Sequence, residues 1–421
     1  MSDSIERHVV DAVSPERLKE LLAELVAFET DQGREAPAQR MLADRFESMG
    51  LEVDLWEIDV EALRDHPAFG VEVEHLEPLG LVGRLPGSAD GDSSLIVNGH
   101  IDVVPAGDES QWTVPPFELS EQDGWWLGRG ALDMKGGVCA AIEAARAVID
   151  AGVPLASDLL LQPVIGEEDG GLGTLAAVER GYRASAAVIP EPTELEVATV
   201  QAGCLGFRLH VAGVGAHGCH RHEGVSALEN FIEVHERLLE LERFVAREGK
   251  HSLFGAPLPY PLSIGTVVAG EWSSSVPDSL VATGRYGVPP GWSLDRARQL
   301  FESAVDEVCR ANEFLRRNPV RVEWWGGVFE SAEADPQGRM VETLLDVAEE
   351  TLGRRPACVG VPYGADMRLL DRHAGIPTVM FGAGDVRDAH GPAERVRAQD
   401  LVALARTLAR FYVRYCGVAE N

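Results

Sequence analysis

Five side chains of the types that hold metal ions recur at positions that a random surface would not select. His100 and Asp102 stand two apart in His100-Ile101-Asp102-Val103-Val104-Pro105, after the apolar run 94–98. Residues two apart on extended backbone point the same way. The Asp102 carboxylate is therefore expected to bond one imidazole nitrogen of His100 while the other faces a metal. Asp133 sits in the Gly-rich turn 128–137, Glu167 and Glu168 follow the apolar run 158–165, Glu191 follows 186–189, and His390 follows 378–381. Two imidazoles and three carboxylates (Asp133, Glu168, Glu191) exceed what one catalytic zinc with an open position needs. They suffice for two metals sharing one carboxylate, with a water and a scissile carbonyl between ions about 3.5–4 Å apart. Glu167 then stays free beside Glu168 as a general base.

These residues need strands that end where they begin. Buried strands are expected near 94–98, 158–165 and 186–189, and ligands bind beyond the carboxyl ends of such strands. Ser14 reads as a helix N-cap with Pro15 at the first helical position, and helices are expected over 36–49 and 138–151. The Gly-rich turn matches neither the P-loop nor the dinucleotide fingerprint. From about Cys204 the pattern becomes strand, helix, strand, strand, helix. It reads as an α+β insert with an antiparallel sheet. The α/β pattern resumes with a strand at Val320. The expected architecture is α/β, a central and mostly parallel sheet flanked by helices, with residues 1–203 and 318–421 forming one domain around an inserted domain, 204–317.

The chain has 421 residues and a formal charge of −31. That charge argues against nucleic acid or an anionic membrane as partner. No run approaches the ~20 apolar residues of a membrane span, and the N-terminus lacks a signal-peptide pattern. The six cysteines are scattered without a CxxC pair, which fits reduced thiols in a cytoplasm.

Five blocks, HxDVVP, GRGxxDMKGG, EExG, EPT and AHxxxE, occur in order from His100 to Glu394. In these the chain resembles the dinuclear-zinc amidohydrolases and peptidases that include acetylornithine deacetylase, succinyl-diaminopimelate desuccinylase, aminoacylase and carboxypeptidase G. The resemblance implies that Asp133 bridges two divalent ions, most often zinc, with cobalt or manganese as alternatives. His100 and Glu191 would complete one site, and Glu168 and His390 the other. Asp102 would orient His100, and Glu167 would be the base. The insert would be a lid that also forms a homodimer, with His217 reaching across the dimer to donate to the oxyanion. Arg285, Asp366 and Arg368 would line the substrate pocket, with Arg368 suited to a substrate carboxylate. Ser275 stands where the family usually has Asn, and Cys219-His220-Arg221-His222 replaces a stretch usually carrying Ser and Pro. The spacing of that Cys/His stretch matches no common zinc module.

The implied activity is hydrolysis of the amide of an N-acyl amino acid or similar small molecule, on the pattern of acetylornithine deacetylase. Desuccinylation, dipeptide cleavage and formyl or carbamoyl amide hydrolysis are the alternatives within the family. An aminopeptidase and a non-catalytic metal-binding homologue are the alternatives outside that activity.

Overall fold

Strands with no polar alternation are covered on both faces. Leu95–His100, Leu159–Val164 and Ala186–Ile189 are buried at every position. In the computed structural model, which describes residues 2–88, 92–255 and 257–419, these strands lie side by side and parallel. Thr378–Met380 extends the parallel set next to Ala186–Ile189. Antiparallel strands flank this centre: Glu52–Glu57 and Leu79–Leu85 on one side, Val197–Gln201 on the other. The expected mainly parallel α/β sheet is present.

Helix signals hold. The Ser14 side chain accepts from Arg17 N at 3.2 Å and caps Pro15–Val26. Ala36–Met49 stops at Gly50, whose φ of 83° is the left-handed C-terminal conformation. Lys135–Asp150 packs against Ala398–Cys416, where Leu404, Ala405 and Leu408 are fully buried. Each such leucine contributes about 1.5–3 kcal/mol. A Cβ on Gly137 would stand 2.2 Å from Pro190 O, so only glycine lets this helix approach the backbone beside Glu191.

The chain divides into two units. The larger comprises Met1–Thr199, Glu333–Val359 and Ala365–Asn421; the smaller comprises Val200–Ala332 and Gly360–Gly364. In the smaller unit, Gly203–Ala212 lies between Ser279–Val288 and Arg321–Phe329, with Leu262–Ala269 at the edge, all antiparallel. Burial of Gly203–Ala212 alternates strictly. Its inward side chains, Phe207 and Leu209 among them, share a core with Val234, Leu238 and Phe301 of helices Ala227–Glu248 and Leu294–Ala311.

The strand near Val320 departs from expectation. Arg321 pairs with His210 and Trp324 with Phe207, so this strand belongs to the smaller unit's sheet, and the unit runs to Ala332 rather than 317. A local pattern specifies a strand but not which sheet it joins. Among the described residues no helix is long and apolar enough to cross a membrane.

Candidate metal centre

His100 is the last residue of its strand, which runs two residues beyond the apolar run 94–98. Its Nε2 lies 3.2 Å from Asp133 Oδ1 and 3.8 Å from Glu191 Oε1. Its Nδ1 is 2.9 Å from the Asp102 backbone carbonyl. A carbonyl only accepts, so Nδ1 carries a proton, and Nε2 is the nitrogen that a bound ion would take up in place of the second proton. This corrects the expectation that the Asp102 carboxylate does the orienting. That carboxylate is 3.7 Å from Nδ1. Its Oδ2 instead accepts from the Glu168 amide at 3.0 Å, tying the His100 strand end to the Glu167–Glu168 loop.

Asp133 is the centre of the arrangement. Its Oδ1 faces His100, and its Oδ2 lies 3.2 Å from His390 Nε2. His390 Nε2 is also 3.1 Å from Glu168 Oε1. Each carboxylate oxygen of Asp133 thus meets a different imidazole. Donor atoms of His100, Asp133 and Glu168 lie within 4.8 Å of one another. The structure therefore brings together all five side chains selected from the sequence.

The electrostatics fit bound cations. Burial pushes the Glu167 and Glu191 carboxyls well above their usual range against the pull of His100, and neighbouring carboxylates push further. Burial likewise lifts Asp102 to about 7. Burial disfavours charge on His100, but Asp133 and Asp102 outweigh it. His390 is raised to about 10 by Asp133 and Glu168. Burial would also raise Asp133, but its bonds to both imidazoles hold it below the usual range. Buried carboxylates therefore outnumber the imidazoles that offset them. Burying excess charge is costly unless cations compensate it. The nitrogen and oxygen donors suit divalent first-row metals. The residues present fit two such ions sharing Asp133. Glu167 is buried, and its Oε1 has no hydrogen-bond partner.

Sequence reasoning assigned no role to Glu394, the last residue of the AHxxxE block. It is fully buried. Its Oε1 accepts from the Leu132 and Asp133 amides at 3.1 and 3.2 Å, and its Oε2 accepts from Arg129 Nη1 at 2.5 Å. Burial lifts its carboxyl to about 7 against the pull of Arg129. A short antiparallel pairing of Trp125–Leu127 with Arg395–Arg397 delivers Glu394 to this turn. The block pattern held the signal, since Glu394 recurs with His390, but no local rule gives its partner.

The expected pocket-lining role of Arg368 is contradicted. The side chain is fully buried. It donates to Ala365 O at 3.0 Å, Asp366 Oδ1 at 3.3 Å and Gly170 O at 2.8 Å. Its guanidinium is committed to the protein, and through Gly170 it braces the Glu167–Glu168 loop. Asp366 is buried beside it, with Oδ2 unbonded.

Three further expected residues lie on the smaller unit. His217 and Ser275 face each other across an isolated bridge, and His217 Nδ1 accepts from the Cys219 amide at 3.3 Å. Arg285 is exposed, paired through its strand with Gly206 and Ser263, and makes no ion pair among the described residues.

The chain is similar to known proteins along nearly its whole length. The chain is 27% identical over 422 residues to the N-formyl-4-amino-5-aminomethyl-2-methylpyrimidine deformylase of Halalkalibacterium halodurans, covering 95% of each protein. It is 28% identical over 402 residues to the acetylornithine deacetylase of Myxococcus xanthus, covering 95% of this chain and 98% of the relative. The fold is that of the di-peptidase Dug1p from Saccharomyces cerevisiae, with a TM-score of 0.77, 17% identity and coverage of 99% and 98%. The model of peptidase family M20/M25/M40 matches residues 96–414. With that match over most of its length, the chain belongs to peptidase family M20/M25/M40.

Proposed function

We propose that this metal-dependent amide hydrolase removes a small acyl group, formyl or acetyl, from an amine of a small molecule. The observation that carries the reading is Asp133, each of whose carboxylate oxygens lies 3.2 Å from a different imidazole, with buried Glu167 beside them. His100 and Glu191 would hold one divalent ion, and Glu168 and His390 the other, with zinc the expected metal and cobalt or manganese able to replace it. Bound there, the ions would polarise the scissile carbonyl and acidify a water. Glu167 takes the proton of the attacking water and passes it to the leaving amine. Asp102 holds the strand end and the base loop in register. On the same reading His217 would reach across a homodimer to donate a hydrogen bond to the developing oxyanion, and Ser275 and Arg285 would be substrate contacts.

Two relatives of near-equal identity support the choice of acyl group. One is named a deformylase and the other a deacetylase, and both match over nearly their whole length. A cytoplasmic homodimer formed through the smaller unit completes the proposal. The edge strand Leu262–Ala269 supports it, with Val268 and the nearby Trp272 about 70% exposed: 69% and 72% respectively.

The test is a panel of N-formyl aminopyrimidines, N-acetylornithine, other N-acyl amino acids and dipeptides, read by release of primary amine and of formate or acetate. Turnover concentrated on formyl or acetyl amides is expected. Preference for dipeptides would overturn the acyl assignment. Glu167→Gln should keep its metal and lose about 10²–10⁴ in kcat. Near-wild-type turnover in that variant would remove Glu167 as the base.

A further inference from the structure

The stretch after His217 carries a high density of ligating side chains: Cys219, His220, His222 and Glu223 fall within five residues. Residues 215–224 leave the sheet as a loop pinned at its base. Val214 and Val225 exchange both backbone bonds, at 2.7 and 2.9 Å, and Gly218 N and Val276 N bond to Ser274 O and Ala216 O at 2.6 and 2.8 Å. Within the loop, Gly218–Glu223 forms two 3-10 turns separated by a kink at His220, where φ is −116° and ψ is 35°, and His217 caps the first. Together they bring His220, His222 and Glu223 to one side. Glu223 Oε1 lies 3.9 Å from His220 Nδ1 and 3.9 Å from His222 Nε2. One donor atom from each of the three falls within 4.8 Å of the others.

We propose that His220, His222 and Glu223 form a surface binding site for a divalent transition-metal ion of the zinc class, on the smaller unit and independent of the metal centre. Two imidazoles and one carboxylate are a donor set that zinc accepts, with water completing four-coordination. Ligands about 2.0–2.2 Å from a tetrahedral ion stand about 3.4 Å apart. The separations of 3.9 Å close to that with small rotations of exposed side chains. Among the described residues, none of the three side chains has a hydrogen bond or ion pair outside this set. Arg221, which would oppose a cation, is paired with Glu229. Cys219 is turned away, with its Sγ 2.9 Å from His217 Nδ1, so it is not part of the set. An ion here would fix the turn that His217 caps, and so link metal supply to the order of that segment.

The competing account is a set of ordinary ion pairs between protonated imidazoles and Glu223, which would not retain zinc. The experiment is equilibrium dialysis of the full chain against Zn²⁺, with bound metal measured by atomic absorption. Wild type should bind one zinc more per chain than His220→Ala/His222→Ala. Glu223→Gln should weaken that equivalent at least about tenfold, and Cys219→Ser should leave it unchanged. Equal stoichiometry and affinity in wild type and the double His variant would overturn the proposal. A His100→Ala/His390→Ala chain should still bind the surface equivalent. Loss of the proposed catalysis and loss of this site are thereby told apart.

Discussion

Glu394→Gln is the perturbation whose consequence the structure works out most fully. Glu394 accepts three hydrogen bonds in a fully buried position: two from the turn that carries Asp133 and one from Arg129, itself 2% exposed. Glutamine can still accept from the Leu132 and Asp133 amides through Oε1. Its amide nitrogen then faces Arg129 Nη1, donor against donor, and the guanidinium is left charged without a counterion. Arg129 keeps long contacts to the Pro105 and His390 carbonyls, at 3.3 and 3.5 Å, and its place 5.0 Å from the Trp112 ring centroid. Breaking a buried ion pair from one side costs about 3–5 kcal/mol. The retained amide bonds place this case near the lower end, about 3 kcal/mol. Because the pair joins the Asp133 turn to the His390 segment, metal retention should fall by about 10–100-fold as well. Urea unfolding followed by tryptophan fluorescence reads the first effect as a lower midpoint at unchanged slope. Dialysis against a graded chelator reads the second. Arg129→Gln/Glu394→Gln removes the unpaired charge and should recover part of the lost stability, a coupling that a double-mutant cycle measures. A Glu394→Gln chain within about 0.5 kcal/mol of wild type, with unchanged metal retention, would refute the reasoning.

Two further outcomes follow from buried charge. The His75 ring nitrogens lie 3.3 Å from Glu35 Oε2 and 3.3 Å from Asp169 Oδ2. Burial opposes charge on His75, but the two carboxylates outweigh it and raise its pKa to about 10. A folded pKa above the unfolded value stabilises fully below about 6.5, and that contribution is lost as pH climbs through about 10. Wild-type stability should therefore fall on the order of 3 kcal/mol more than that of His75→Gln across this window. Parallel stability–pH profiles for the two chains would exclude the triad. Arg368→Lys cannot reproduce a planar fork that reaches Ala365, Asp366 and Gly170 together. It should lower kcat/KM by the same factor for substrates with and without a carboxylate, whereas a KM rise confined to carboxylate-bearing substrates would restore Arg368 as a substrate ligand.

The sequence by itself determined which residues meet. Apolar runs without alternation become strands buried on both faces, so His100 and the residues following Val164 and Ile189 emerge at one end of the parallel set. Ser14, Gly50 and the 3.6-residue stripes placed the helices they cap to within a few residues. These are local signals, carried by neighbours in the chain. Only the tertiary structure decided which groups orient the site. Asp102 turns its carbonyl, not its carboxylate, to His100, because the carboxylate is drawn to the Glu168 amide. Arg368 points inward, because Gly170 and Ala365 present carbonyls that need a donor. Glu394 reaches the Asp133 turn through a three-residue pairing, Trp125–Leu127 with Arg395–Arg397, between segments roughly 270 residues apart. The strand Arg321–Phe329 joined the smaller sheet rather than the larger one for the same reason. A strand's periodicity fixes its faces, whereas its partner is fixed by edges that come together only when the whole chain has folded.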